Sequence, residues 1–329
     1  MSLTAVVEGN EIKYHVMDPT GNITILVETP VEEASQPFIA AELMQREPEA
    51  EQVGFLTIPE KRAAATGRPD ANASEQSVDD RTFRDIDLRM AGGEFCGNAT
   101  MSAAAFYAAR NGMQEGTVTV RVSGAAEPVP VEICLASAKT ACGPDLQIAS
   151  MPVYRGTVTM PRPVAVTEVK LPDHDQKETY RTYPVVHFEG IDHVILEENA
   201  DRSRAEELAP LWCRELQAEA VGLMFLNRSE GTLTPLVYVP EAGTLVWENS
   251  CASGTSAVGA WAASRLQAAD QCTSASQETA GSRKQAVQPE PPGSGQSVLQ
   301  LSLQEPGGTL CVEVCADGVI RLTGTVRER

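Results

Sequence analysis

Two stretches of this sequence, FCGNATMSAAAFYAAR at 95–110 and SCASGTSAVGAWAASR at 250–265, follow one pattern. In each, a cysteine is followed by small residues, by Thr at the fourth position, by an aromatic residue at the tenth and by Arg at the fourteenth. An acidic residue, Glu94 or Glu248, stands shortly before each cysteine. Cys96 and Cys251 are separated by close to half of the 329 residues. We interpret the pattern as two similar domains, each with a cysteine at the start of a small-residue helix.

The composition narrows the class of protein. A hydrophobic content of 42% and a charged content of 22% are those of a soluble globular protein. The net charge of −19 argues against nucleic-acid and membrane partners, because both require basic patches. The sequence contains neither a membrane-length apolar run nor a secretory signal pattern, so we expect a cytoplasmic protein. Eight cysteines without a metal-binding spacing predict free thiols and no metal.

Short β-branched segments dominate the chain and predict strands. The strand-like segments are 22–27, 117–122, 129–133, 183–188, 235–239, 298–303 and 310–314. Helices are expected at about 37–47, 97–111, 203–219 and 252–269. Strands interrupted by isolated helices indicate an α+β fold.

The repeat divides the chain into two domains. We expect an N-terminal domain at 1–147 plus 318–329, and a C-terminal domain at 148–317. Residues 62–80 and 271–297 are rich in small and polar residues, so we read them as loops or disordered insertions.

The repeated cysteine is suited to proton transfer. The first turn of a helix has unpaired N–H groups and a partial positive charge, so it can bind a carboxylate and lower the pKa of a thiol. Two such helix ends facing one another across a domain cleft would place a sulfur on each side of a substrate Cα. One cysteine would remove the proton and the other would return it, which inverts the configuration without a cofactor. The expected anion site comprises the main-chain N–H groups of Gly97, Asn98, Ala99, Ser253, Gly254 and Thr255.

These motifs resemble those of the diaminopimelate epimerase superfamily of PLP-independent racemases and epimerases. The segments 95–99 and 248–255 are similar to its two cysteine signatures, and 17–27, 51–53, 190–194 and 306–324 match further family motifs. The resemblance implies two pseudo-symmetric domains, each a mostly antiparallel sheet wrapped around a central helix. It also implies catalytic roles for Cys96 and Cys251. Further candidate substrate-binding residues are Asn22, Gln52, Asn227 and Glu248.

The sequence departs from true diaminopimelate epimerases at the position that holds the distal end of the substrate. The family has a Glu-Arg pair there, whereas this chain has Pro240-Glu241-Ala242-Gly243-Thr244. Because burying an unpaired distal carboxylate is costly, a single amino acid is the expected substrate. The overall pattern is closer to the histidine-racemase-like branch. The side chain accepted and a homodimeric state both stay open.

Other classes of protein fit the sequence less well. A Cys-His hydrolase using His187 or His193 would leave the second cysteine unexplained. Diaminopimelate epimerase proper, or an isomerase or dehydratase of the same fold, stays an alternative. A non-catalytic amino-acid-binding protein would have little use for two thiols. PLP chemistry would require a Schiff-base lysine in a phosphate-binding context, which the sequence does not offer.

Overall fold

The computed structural model describes residues 2–7, 9–58, 85–136, 152–173, 179–277 and 296–329, with the side chains of 268–277 left out. The chain forms two compact units, Met1–Val158 with Gly324–Arg329, and Thr159–Thr323. The sequence placed the boundaries at 147/148 and 317/318. The observed boundaries fall inside continuous strands, where composition does not change and therefore gives no signal.

The first unit is a largely antiparallel set of strands with two helical crossovers. Its elements are β1 Leu3–Val7, β2 Asn10–Pro19, β3 Thr24–Val27, α1 Gln36–Arg46, β4 Gln52–Thr57, β5 Ile86–Met90, α2 Gly97–Arg110, β6 Glu115–Val122, β7 Val129–Leu135 and β8 Tyr154–Met160. The β3–β4 and β5–β6 pairs are parallel, because α1 and α2 return the chain to the same edge, and the other neighbours are antiparallel.

The second unit has the same order of pairings with one added hairpin. Its elements are β9 Ala165–Pro172, β10 Tyr180–Phe188, β11 Ile191–Leu196, α3 Arg202–Leu216, β12 Val221–Asn227, β13 Thr232–Val239, β14 Thr244–Trp247, α4 Ala252–Gln277, β15 Ser297–Glu305, β16 Gly308–Cys315 and β17 Ile320–Glu328. Here β11–β12 and β13–β15 are the parallel pairs, connected through α3 and α4. The β13–β14 hairpin is the addition.

Helices α2 and α4 are the central helix of each unit. Eleven of the fourteen residues of α2 are buried, and it packs against strands β2 to β7. A helix buried on all sides has no polar face, which explains its run of Ala and Ser. In α4, a Cβ on Gly259 would lie 2.7 Å from Val312 Cγ2 on β16, so the glycine allows the close approach of helix and strand.

Helices α1 and α3 each cover a further core. Trp212 of α3 is fully buried, packs against Tyr183, and donates its indole N–H to the Pro172 carbonyl at 2.8 Å. Leu43 of α1 is buried with Ile25 and Val27 of β3. None of the helices in the described part of the chain is long and apolar enough to cross a bilayer.

The four expected helices are present, with one change at the end of α4. The chain remains helical to Gln277, whereas 271–297 was expected to be a loop. The segment from 268 to 277 contains no Gly or Pro, so nothing in it terminates the helix. Residue 297 already belongs to β15. The rest of that segment, 278–295, and the whole of 62–80 lie outside the described residues.

Candidate active site

Cys96 caps the N-terminus of α2. Its backbone is extended, at φ −132° and ψ 116°, and its sulfur accepts the Ala99 N–H at 3.4 Å. Its carbonyl accepts from both the N–H and the hydroxyl of Thr100, at 2.9 and 2.6 Å. The sequence CGNAT thus forms a cap in which the thiol takes the place usually held by Ser or Asp.

A chain of neutral amides leads away from the Cys96 thiol. The thiol donates to Gln52 Oε1 at 2.9 Å, and Gln52 Nε2 donates to Asn22 Oδ1 at 2.5 Å and to Thr24 Oγ1 at 2.8 Å. Asn22 Nδ2 in turn donates to Glu51 Oε2 at 2.5 Å. The parallel register of Thr24 with Gln52 brings these residues together. The structure therefore unites Cys96 with two of the predicted binding residues, and adds Thr24 and Glu51.

The backbone before Cys96 is held by close contact with the turn after β6. Gly124 has φ +73°, and a Cβ there would lie 2.3 Å from the Phe95 nitrogen. Ser123 Oγ donates to the Glu94 carbonyl at 2.9 Å and accepts the Met90 N–H at 2.9 Å. A side chain at residue 124 would displace the segment that carries Cys96.

Cys251 immediately precedes α4 in the same arrangement. Its sulfur accepts the Gly254 N–H at 3.3 Å and lies 3.6 Å from Ser253 Oγ, while its carbonyl accepts the Thr255 N–H at 2.9 Å. A Cβ on Gly254 would lie 2.2 Å from Met224 Sδ and 3.1 Å from Cys251 Sγ. A larger residue at that position would require Met224 to move. Met224 of β12 was not singled out in the sequence.

Two carboxyl groups surround Cys251. Glu305, at the end of β15, accepts the Cys251 N–H at 2.7 Å through Oε2 and the Thr255 hydroxyl through Oε1. Glu248 forms a side-chain hydrogen bond with the Cys251 thiol. Glu248 was predicted from the sequence, but Glu305 was not. The available signal in the sequence was the alternation of Leu299, Leu301 and Leu303, which places Glu305 on the apolar face of β15.

The electrostatics of Cys251 differ from the sequence expectation. Burial raises the pKa of this thiol well above its ordinary value, and the nearby Glu248 and Glu305 raise it further. The expected lowering by the helix N-terminus is therefore outweighed. Burial also raises the pKa of Glu305, to about 8. Cys251 is thus a protonated thiol at neutral pH.

Two predicted binding residues have contacts other than those expected. The N–H and the hydroxyl of Thr255 are both taken up within the protein, by Cys251 and Glu305. The side-chain oxygen Oδ1 of Asn227 closes the β12–β13 turn by accepting from Ser229 and Glu230. Turn formation thus accounts for Asn227.

The remaining residues of the predicted anion site, in the first turns of α2 and α4, fall into two groups. The N–H groups of Ala99 and Gly254 donate to the sulfurs, so they act on the thiols directly. Gly97, Asn98 and Ser253 occupy the other predicted positions, in the first turns of α2 and α4. Gly97 and Asn98 are buried, and Ser253 is half-buried.

Neither candidate histidine has the environment of a Cys-His hydrolase. The ring nitrogens of His187 are engaged by Thr167 and Asp192, each at 2.8 Å. His193 is fully buried, and its nitrogens have no hydrogen-bond partner among the described residues. Burial lowers its pKa to about 3, so it is neutral at pH 7. Gly222 leaves the space for its ring, since a Cβ there would lie 2.2 Å from Nδ1.

Comparison with known proteins identifies the family. The family of the histidine racemase CntK N-terminal domain matches residues 75–284, which is more than half of the chain. The chain belongs to this family. It is 29% identical over 258 residues to the histidine racemase of Staphylococcus aureus (strain Mu50), covering 75% of this chain and 78% of that one. A Fusobacterium nucleatum histidine racemase is 29% identical over 252 residues, covering 74% and 78%.

Solved structures of low sequence identity share the fold. A protein described as a predicted epimerase from Pseudomonas aeruginosa aligns at a TM-score of 0.54 and 15% identity, over 96% of each chain. A probable proline racemase from Agrobacterium radiobacter K84 aligns at 0.52 and 12%, over 97% of this chain and 90% of that one. This chain therefore shares its sheet-rich α+β fold with these proteins. Membership of the family makes this chain an isomerase, an amino-acid racemase.

Proposed function

We propose that this racemase inverts the Cα of its substrate by two-base proton transfer between Cys96 and Cys251. The observation that carries the proposal is the helix-capping cysteine that occurs in both units. Each sulfur accepts a main-chain N–H from the first turn of its central helix, at 3.4 Å for Cys96 and 3.3 Å for Cys251. Such a donor stabilises a thiolate, so each cysteine has the local geometry of a proton acceptor.

The protons balance over one turnover. The Cys96 thiolate takes the α-proton, which leaves its electron pair on the substrate as a carbanion delocalised into the carboxylate. The Cys251 thiol then gives its proton to the opposite face of Cα and becomes the thiolate. The enzyme that results has the two protonation states exchanged, and it catalyses the reverse direction. We assign the binding and stabilisation of the substrate carboxylate to the first-turn positions Gly97, Asn98 and Ser253.

The two cysteines have different resting roles in this scheme. The raised pKa of Cys251 makes it the thiol, hence the proton donor, of the free enzyme. The Cys96 thiol contacts the amide of Gln52, which carries no charge. We assign Cys96, as the partner of this proton donor, to the base that acts first.

Histidine is the substrate we propose. The support is the family and the names of the relatives, together with the segment at 240–244. That segment forms the turn between β13 and β14, and it contains no Arg that could pair with the distal carboxylate of diaminopimelate. The Glu248 carboxyl, which bonds the Cys251 thiol, is the group we assign to the substrate ammonium.

We also propose that the two units are duplicated copies of one diaminopimelate-epimerase-like fold. The support is the order of pairings, which is the same in both units: two antiparallel pairs, a parallel pair across a helix, an antiparallel pair and a second parallel pair across the central helix. A dehydratase or other isomerase of this fold would need only one of the two cysteines.

Exchange of the α-proton tests the proposal. L- and D-histidine are incubated with the enzyme in D₂O, and loss of the Cα proton is followed by ¹H NMR with chiral chromatography of the products. We expect deuterium at Cα and inversion from both enantiomers. Alanine and diaminopimelate serve as comparison substrates, and we expect slower exchange from each. Absence of exchange and inversion across a panel of amino acids would overturn the proposal.

A further inference from the structure

We infer that Glu305 is a positioning residue for Cys251: its buried carboxyl fixes the first turn of α4 and keeps the cysteine in the thiol form. The inference rests on the two-base function proposed above, in which Cys251 is the proton donor of the free enzyme. It concerns a residue that lies in neither of the two cysteine motifs.

The carboxyl of Glu305 is hydrogen-bonded to both Cys251 and Thr255, the first and last residues of the α4 cap. Glu305 Oε2 accepts the Cys251 N–H at 2.7 Å, and Oε1 accepts the hydroxyl of Thr255, one turn further along the helix. A third contact, from the Gly307 N–H to the Asn249 carbonyl at 2.8 Å, holds the turn after β15 against the segment before Cys251. Only 2% of Glu305 is exposed, so both oxygens are committed to these partners. The carboxyl thus fixes the main chain that carries the thiol.

The charges of Glu305 and Glu248 also favour the thiol form of Cys251. The titratable groups that face Glu305 are the Glu248 carboxyl and the Cys251 thiol. Thr255, its other partner, does not titrate. Each of the three groups is an acid, so ionisation of one disfavours ionisation of the others. Removing the acidity of Glu305 therefore makes it easier for Cys251 to lose its proton.

In the described part of the other unit, the strand at the corresponding place does not end in a carboxyl. The strand that follows α2 is β6, and the turn after it contacts the segment before Cys96 through Ser123 and Gly124. In the second unit the strand that follows α4 is β15, and it ends at Glu305. A duplicated fold therefore has an ionisable group at one cysteine and a hydroxyl and a glycine at the other. The carboxyl at the end of this strand is therefore a feature of the Cys251 cap.

The decisive experiment is a titration of the Cys251 thiol in Glu305→Gln. Glutamine keeps the size of the side chain and an acceptor oxygen but cannot ionise. Cysteine labelled with ¹³C at Cβ reports thiol and thiolate by its chemical shift, and the Cys251 signal is assigned from Cys251→Ser. We expect the midpoint of Cys251 to fall by about one pH unit or more, the usual effect of removing a close like charge. The pH at which kcat/KM for histidine declines on the alkaline side should fall by a similar amount.

Controls separate this inference from folding and from the proposed function. Glu313→Gln on β16 removes an equal charge at a half-exposed site, and it should leave the Cys251 midpoint unchanged. Glu305→Asp keeps a carboxyl, and its midpoint should return toward that of the wild type. If Glu305→Gln does not fold, Glu305→Met, which also cannot ionise, takes its place with the same expected fall. A folded variant without the carboxyl that has the wild-type midpoint and the wild-type kinetic profile would overturn the inference, and so would a Glu305→Asp whose midpoint falls as far as that of the variant without the carboxyl. The NMR titration needs no turnover, so its result is independent of whether the wild type racemises histidine.

Discussion

At the scale of residues, the two cysteines share a cap but differ in their polar neighbours. Cys96 donates to the amide of Gln52, which is tied to Asn22. Cys251 is bonded by Glu248, and its N–H is held by Glu305. The neighbours of the two thiols differ in charge, because only the carboxyls can add negative charge next to a thiol. In the two-base scheme proposed above, Cys251 is therefore the cysteine that starts as the proton donor.

This difference predicts unequal behaviour of the serine variants. Cys96→Ser and Cys251→Ser should each lose at least about a hundredfold of racemisation, because a hydroxyl is a far weaker base than a thiol. Each remaining cysteine can still exchange the proton on its own side. We therefore expect one variant to wash deuterium into L-histidine and the other into D-histidine, as measured by ¹H NMR with chiral analysis.

A matched control is Cys311→Ser on β16, where the half-buried sulfur lies 3.2 Å from Ser302 Oγ. It should keep wild-type rates. Wild-type racemisation by either Cys96→Ser or Cys251→Ser would contradict the two-base scheme.

At the scale of elements, the placement of the cysteines depends on the burial of α2 and of the first three turns of α4. The first turns of α2 and α4 are fixed only if the helices themselves cannot shift. Small residues at the contacts make this possible, since Gly156 of β8 lies against Met101 of α2, and Gly259 of α4 against Val312 of β16. Close packing of the helix backbone against the strands therefore holds each cysteine cap in a fixed position.

The α4–β16 contact gives a prediction about stability. In Gly259→Ala the new methyl would lie 2.7 Å from Val312 Cγ2 and 3.0 Å from Cγ1, both on a fully buried side chain. Overpacking of this kind costs about 1–3 kcal/mol in the free energy of unfolding. Val312→Ala alone should also destabilise, through the cavity it leaves.

The double variant Gly259→Ala/Val312→Ala should be more stable than the sum of the two single effects, because each change makes room for the other. Urea denaturation of the four proteins measures this coupling. If the two changes in the free energy of unfolding were strictly additive, the contact between Gly259 and Val312 would not limit how closely α4 approaches β16.

At the scale of the whole molecule, charge pairs within the first unit join segments that are far apart in sequence. The Glu28 carboxylate contacts Lys13 at 2.7 Å, His15 at 3.1 Å, and Arg110 at the end of α2. His15 also bonds Glu328 of β17 at 2.8 Å. Although burial opposes ionisation, the hydrogen bonds from Lys13, Arg110 and His15 lower the pKa of Glu28 to about 2. This cluster fastens β2, β3, α2 and the end of the chain together.

The lowered pKa predicts how stability depends on pH. A carboxyl whose folded pKa is about 2, below the ordinary 4.5, stabilises the folded state above pH 4.5 and loses that effect as the pH falls toward 2. Glu28→Gln should therefore be less stable than the wild type at neutral pH, and the difference should shrink between these two values. Thermal unfolding followed by circular dichroism over this range measures it. Glu115→Gln, at an exposed position of β6, should show no such dependence.

The sequence by itself determined the features that depend on neighbours along the chain. The repeated cysteine caps, the four helices and the α+β class follow from local spacing and small-residue patterns, which act within a few residues. Asn22 and Gln52 were also marked in advance, by family motifs. The helical end at Gln277 was missed, because composition favoured a loop where no residue actually breaks the helix.

The tertiary structure decided the chemistry around the two caps. Glu305 reaches Cys251 from 54 residues away, and Gln52 reaches Cys96 from 44 residues away. A local pattern can mark Glu305 as buried and Gln52 as part of a motif, but it cannot show which cysteine each one contacts, since that depends on which strand ends the fold brings next to a helix. The raised pKa of Cys251 depends on these long-range contacts, and so does the hydrogen bond from the Thr255 hydroxyl to Glu305. Burial and nearby charge depend on the tertiary structure. A sequence motif can therefore identify the cysteine, but only the fold determines the pKa of its thiol.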